Sequence, residues 1–115
     1  MVRGCILIMN YVVLVGRVSN IEDIVSPDFK KYTYITLAVQ RTNKNEFGIY
    51  DTDFIMCETT GNIAEKIKEF VKKGDLISVK GRIENEDFIS NTRNKVVVDK
   101  VVFLSSKSSS LENEE

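Results

Sequence analysis

At 115 residues with 43% hydrophobic content, the chain has room for one domain with its own core and is too short for two. Its 16 Lys and Arg stand against 17 Asp and Glu, so no strongly basic balance announces nucleic-acid binding, and any anion site must rest on a local patch. The absence of His removes the commonest general base and metal ligand and excludes Ser-His-Asp and Cys-His constellations.

Cys5 and Cys57 lie far apart without CxxC spacing, so neither a disulfide framework nor a zinc site is indicated. No metal or cofactor is expected, and a reducing cytoplasm is the expected location. The opening run Cys5-Ile6-Leu7-Ile8-Met9 is apolar but far shorter than the roughly 20 residues of a membrane helix, and it lacks a signal-peptide layout. Residues 1–8 read as an extension of the first strand, and Met1 and Met9 are both candidate starts.

From Met9 to Val25 the chain is rich in Val, Ile and Leu, which predicts a long first strand that bends or bulges at Gly16. Ser26-Pro27-Asp28 is a turn signal. Tyr32 to Val39 mixes aromatic and β-branched residues in partial alternation, a second strand. The polar stretch Thr42 to Gly48 reads as a hairpin loop into a third strand, Ile49 to Glu58. A helix is predicted between Asn62 and Gly74. Asn62 and Glu65 form a capping-box-like pair, and Ile63, Ala64, Ile67, Phe70 and Val71 make one apolar face. Lys72 and Lys73 suit the negative end of the helix dipole, and Gly74 supplies a left-handed stop. Leu76 to Ile83 and Lys95 to Leu104 read as strands four and five, joined by a polar loop from Glu84 to Asn94. Residues 105–115 are Ser-rich and acidic, with too little apolar content to pack, so a flexible tail is expected after a domain spanning 9–104.

Three strands, one helix and two strands is the succession of an all-β, five-stranded Greek-key OB-fold barrel with its helix between strands 3 and 4. That fold mainly holds single-stranded nucleic acid or oligosaccharide. The helix should plug one end of the barrel. Which ligand fills the groove depends on side chains, because fold alone does not fix function.

The run Asn10-Tyr11-Val12-Val13-Leu14-Val15-Gly16-Arg17-Val18 resembles the first strand of bacterial single-stranded DNA-binding proteins of the SSB family. Ile35-Thr36-Leu37-Ala38-Val39-Gln40-Arg41 is similar to that family's second strand and Asp53-Phe54-Ile55-Met56-Cys57 to its third. Ala64 to Gly81 resembles its helix and fourth strand, and Val96 to Phe103 its closing strand. The likeness covers residues 9 to 104, in the family's order. It implies a protein that wraps single-stranded DNA without sequence specificity during replication, repair or recombination, as a homotetramer or a dimer. The family closes in an acidic tip, Asp-Ile-Pro-Phe, that recruits partners. This chain ends Leu111-Glu112-Asn113-Glu114-Glu115, so it resembles a tail-less short form, and recruitment through such a tip is not expected.

A non-specific single-strand binder needs cations for the phosphates and aromatics for the bases. By resemblance, Phe54 and Phe88 occupy stacking positions, and Phe47 and Tyr50 stand in for family aromatics replaced here by Asn43 and Thr60. Strand alternation supports Phe54: an inward Ile55 puts Phe54 outside. Phe70 and Phe103 are assigned to the core. The groove cations implied are Arg17, Arg41, Lys44, Lys73, Arg82, Arg93 and Lys95. Several sites where relatives carry bases hold Met56, Asn62, Glu84 and Glu86, and Glu84, Glu86 and Asp87 place negative charge beside Phe88, which predicts weak or salt-sensitive binding. Cys57 reads as a buried small hydrophobe.

The leading expectation is a non-enzymatic binder of single-stranded DNA whose first strand is a pairing edge for self-association, with Ile55 at or near a subunit interface by resemblance. A second reading is a degenerate OB-fold interaction module that assembles with another SSB or a primosome protein and binds DNA weakly. A third, an OB-type nuclease, would need clustered carboxylates, for which Asp51 and Asp53 on one strand face are thin support.

Overall fold

The structure, a computed structural model, describes residues 9–87 and 92–106. The expected extension over residues 1–8, Phe88 and the tail beyond Ser106 lie outside the described residues. Strands β1 (Val12–Val25), β2 (Lys31–Lys44), β3 (Tyr50–Thr60), β4 (Leu76–Asp87) and β5 (Thr92–Ser105) close into a barrel in the order β1-β2-β3-β5-β4. Helix α1 (Gly61–Phe70) lies between β3 and β4. This is the OB arrangement that the order of elements predicts.

β1 pairs antiparallel with β4 from Val12 to Arg17 and with β2 from Arg17 to Val25, so one strand serves two neighbours and turns the corner at Gly16. A Cβ on Gly16 would lie 2.5 Å from the carbonyl oxygen of Ala38, which is why the corner requires glycine. A bulge between Val18 and Asn20 adds to the bend.

Alternation sorts the β2–β3 ladder into two faces. Thr33, Ile35 and Leu37 oppose Thr59, Cys57 and Ile55 on the inside, while Tyr34, Thr36 and Ala38 oppose Glu58, Met56 and Phe54 on the outside. The inner set joins Val18, Ile77, Val79, Val96 and Val98 in the core, and the fully buried Ile and Leu side chains each contribute roughly 1.5–3 kcal/mol. The two buried threonines are paired: the Thr33 hydroxyl donates to Asp23 Oδ1 at 3.0 Å and the Thr59 hydroxyl to the Thr33 carbonyl at 2.7 Å.

α1 rests against β2, β3 and β5 through Ala64, Ile67 and, at its C-cap, Val71. Its start differs from expectation. The N-cap is Thr60, the extended last residue of β3, without a side-chain cap bond, and Gly61 takes a φ of 62°. The chain therefore turns straight from strand into helix, and Asn62 already lies inside the first turn. The helix stops at Phe70, and Gly74, with a φ of 94°, serves the following turn instead, where its N–H bonds the Val18 carbonyl.

Phe70 and Phe103 are not core residues. They are 63% and 48% exposed and flank a groove between α1 and β5. The narrow barrel is already filled by Val, Ile and Leu, and the buried stripe of α1 runs through residues 64, 67 and 71, leaving Phe70 beside it. The hairpin arms are also longer than predicted. β2 continues to Lys44, so only Asn45 to Ile49 make its turn, and β4 and β5 pair through the expected loop as far as Asp87 and Thr92.

Candidate nucleic-acid interface

β3 and β5 run parallel and pair only at Cys57–Val96 and Glu58–Val97. Ahead of that short seam they separate and leave a cleft of about 450 Å³, walled by Phe54 and Met56 on one side and Arg93, Asn94 and Lys95 on the other, with Ile55 and Ile83 also lining it. A second depression of about 510 Å³ adjoins it on the outer face, between Arg17, Gln40 and Thr52.

The two are joined by one cross-strand row. Arg17 on β1 opposes Ala38 on β2, which opposes Phe54 on β3. The small Ala38 leaves space between a cation and an aromatic ring. Phe54 is 67% exposed, as the inward Ile55 requires. Tyr50 and Thr52 continue its face by alternation, and the Lys44 ammonium sits 5.6 Å from the centre of the Tyr50 ring. Phe47 lies exposed at the tip of the β2–β3 turn, where the Asn45 side chain accepts its N–H at 2.8 Å.

The structure brings Phe54, Arg93, Lys95, Arg17, Tyr50 and Lys44 onto one continuous surface. The other cations fall elsewhere or are engaged. Arg41 forms a two-pronged pair with Asp53, both bonds 3.0 Å, which holds the Asp53 carboxyl below its usual range. Arg82 bonds Glu84 at 2.8 Å and Asp99 at 3.4 Å, outside both depressions. Lys73 is exposed in the turn after α1. The Arg17 guanidinium donates to the Gly74 carbonyl at 3.1 Å. Arg93 lies 3.6 Å from Glu86.

Lys95 is the most constrained of the set. Its ammonium donates to Glu58 Oε1 at 2.7 Å, with the two side chains only 14% and 12% exposed. The Tyr34 hydroxyl donates to the same oxygen at 2.9 Å. Burial works to lower the Lys95 pKa, but the Glu58 hydrogen bond and the carboxylates of Glu58, Glu86 and Glu84 leave it above its ordinary value. The Tyr34 phenol is pushed up by burial and then by Glu58.

Sequence reasoning missed Tyr32 and Tyr34, which lie on the outer face of β2 with ring centres 6.2 Å apart, while Met56, singled out by resemblance, lies in the cleft wall. The signal for the two tyrosines was the even-numbered alternation of 32, 34, 36 and 38, in the same frame that places 33, 35 and 37 inside. Tyr32 opposes Thr60 across the ladder. Among the described residues no group of three or more His, Cys, Asp or Glu is placed to hold a metal ion, and no helix is long and apolar enough to cross a membrane.

Comparison with known proteins agrees with this geometry. The chain is 36% identical over 110 residues to single-stranded DNA-binding protein 2 of Listeria monocytogenes, covering 90% of this chain and 69% of that one. It is 36% identical to single-stranded DNA-binding protein A of Bacillus subtilis over 94 residues, 81% of this chain but only 55% of that protein's length. Among solved structures, a Plasmodium falciparum SSB in complex with ssDNA superposes with a TM-score of 0.71 over 84% of this chain and 96% of that chain at 18% identity, a likeness of fold. The model of the single-strand binding protein family matches residues 9–106. That match spans every described residue, and the chain belongs to the single-strand binding protein family.

Proposed function

We propose that the protein binds single-stranded DNA without sequence preference and without catalysis, coating strands exposed during replication, repair or recombination. The observation that carries this reading is the Arg17–Ala38–Phe54 row, a cation and a 67% exposed aromatic on the strand face that OB folds use for oligonucleotides. Relatives named as single-stranded DNA-binding proteins support it. Phe54, Tyr50 and Phe47 stack bases, together with Phe88, while Arg17, Lys44 and Arg93 meet phosphates. Arg41, Arg82 and Lys95 are held by acids and act on the shape of the site.

Self-association as a homotetramer belongs to the same proposal. Val13 and Val15 of β1 and Val102 and Leu104 of β5 are exposed apolar residues on strands that flank β4, and such a sheet face is covered by a second copy. A cytoplasmic location is in keeping with this role.

The test is fluorescence anisotropy of labelled oligo(dT) at two salt concentrations, with Phe54→Ala in parallel. Salt-dependent binding weakened about 5- to 100-fold in the variant supports a stacking binder, given about 1–3 kcal/mol per stacked base. No binding at low salt overturns it. One observation favours a second reading, an interaction module that modulates a relative: three of the cations, Arg41, Arg82 and Lys95, are bonded to internal acids.

A further inference from the structure

The turn between β1 and β2 carries a feature that the cleft does not explain. Phe29 is 85% exposed and has a φ of 66°, the only described residue other than glycine with a positive φ. The Phe29 N–H donates to the Ser26 carbonyl at 2.9 Å, closing a four-residue turn with Pro27 in its second place. The last place of such a turn favours glycine. The left-handed region is costly for a bulky side chain, and water gains nothing from a phenyl ring.

The turn backbone beneath the ring is also held by hydrogen bonds. The Ser26 N–H donates to the Lys30 carbonyl at 2.8 Å, the Ser26 hydroxyl bonds Asp28, and the Lys30 N–H returns to that hydroxyl at 3.2 Å. Two exposed cations, Lys30 and Lys31, follow directly. From the Phe54 row at Ala38, the outer face of β2 leads past Thr36, Tyr34 and Tyr32 to this turn, seven residues or about 23 Å from Ala38 to Lys31.

Resting on the single-strand reading above, we propose that Phe29 is a second base-stacking site. It receives a base of the same strand that stacks on Phe54, with Lys30 and Lys31 meeting the adjoining phosphates. An OB fold places its β1–β2 loop at the edge of the oligonucleotide face, and an exposed aromatic on a fixed turn beside cations is what a nucleobase and its phosphate recognise.

Phe29→Gly tests this cleanly, because glycine removes the ring while relieving the backbone, so lost binding cannot be blamed on lost folding. Two oligo(dT) lengths, about 6 and about 16 nucleotides, span the range of site sizes for one OB fold. The expected result is a higher melting temperature, about 5-fold or more weaker binding of the long oligomer, and unchanged binding of the short one. Unchanged binding of the long oligomer, or equal loss for both lengths, overturns the proposal. Since the chain has no Trp, Phe29→Trp supplies a single reporter whose emission should be quenched by the long oligomer. Binding without quenching also overturns it. Failure of the unmodified protein to bind either length instead removes the single-strand reading, and this site with it.

Discussion

Replacing Lys95 by Met separates two roles that a groove cation can have. In the structure its ammonium lies 2.7 Å from Glu58 Oε1, and both side chains are largely buried. Hydrogen bonds to charged groups contribute about 1.5–3 kcal/mol, and breaking one partner of a fully buried ion pair costs about 3–5 kcal/mol. Here Glu58 keeps its bond from Tyr34 and some solvent, so the loss should fall near 2 kcal/mol. That loss is read as a lower urea midpoint at unchanged m-value. Because Glu58 already neutralises the ammonium, the salt dependence of oligo(dT) binding should keep its slope. A phosphate-contacting lysine would flatten the log–log slope by about 0.7 on single strands. A Lys95→Met protein of unaltered stability with a slope flattened by that amount would refute the reasoning and return Lys95 to the phosphate contacts.

Gly16→Ala forces a Cβ to within 2.5 Å of the Ala38 carbonyl and 3.1 Å of Leu37 Cγ, so it should lower stability by about 1–3 kcal/mol in urea unfolding; an unchanged midpoint would show that the corner can shift. Burial pushes the Cys57 thiol up to about 12, so in a Cys5→Ser background native protein should resist a thiol reagent that labels it at once in denaturant. Rapid labelling of the native state would contradict the packing. The Asp53 carboxyl is held low by Arg41, so the stability from this pair is present above the ordinary Asp value of about 3.9 and is lost as pH falls through the depressed folded value. An NMR titration of Asp53 with a midpoint at or above 3.9 would show that the pair does not persist in solution.

The barrel was legible because its inner face is written in period two. Thr33, Ile35 and Leu37 alternate with Tyr32, Tyr34 and Thr36, and the same logic at Ile55 placed Phe54 outside. The hairpin arms were not legible, since Glu84 to Asp87 and Thr92 to Lys95 carry no apolar alternation. Their pairing joins residues such as Glu86 and Arg93 across the ladder. The start of α1 was misplaced for a local reason. Asn62 and Glu65 have the composition of a capping box, but β3 runs on through Thr60, and Gly61 turns the chain before Asn62 can cap it. Among the candidate cations the sequence named the right residue types and could not assign their partners. Lys95 meets Glu58 across 37 residues, a contact set by strand register and by nothing local.

The two-pair seam between β3 and β5 makes the barrel a clasped ring. Every other junction is a longer antiparallel ladder, so the fewest backbone pairings resist opening at Cys57–Val96 and Glu58–Val97, beside the cleft. The Lys95–Glu58 bond is the pin of that clasp. Loosening the pin frees that wall of the cleft without disturbing the ladders that keep Phe54 in place. The shape of the cleft and the barrel's weakest closure thus depend on the same few atoms.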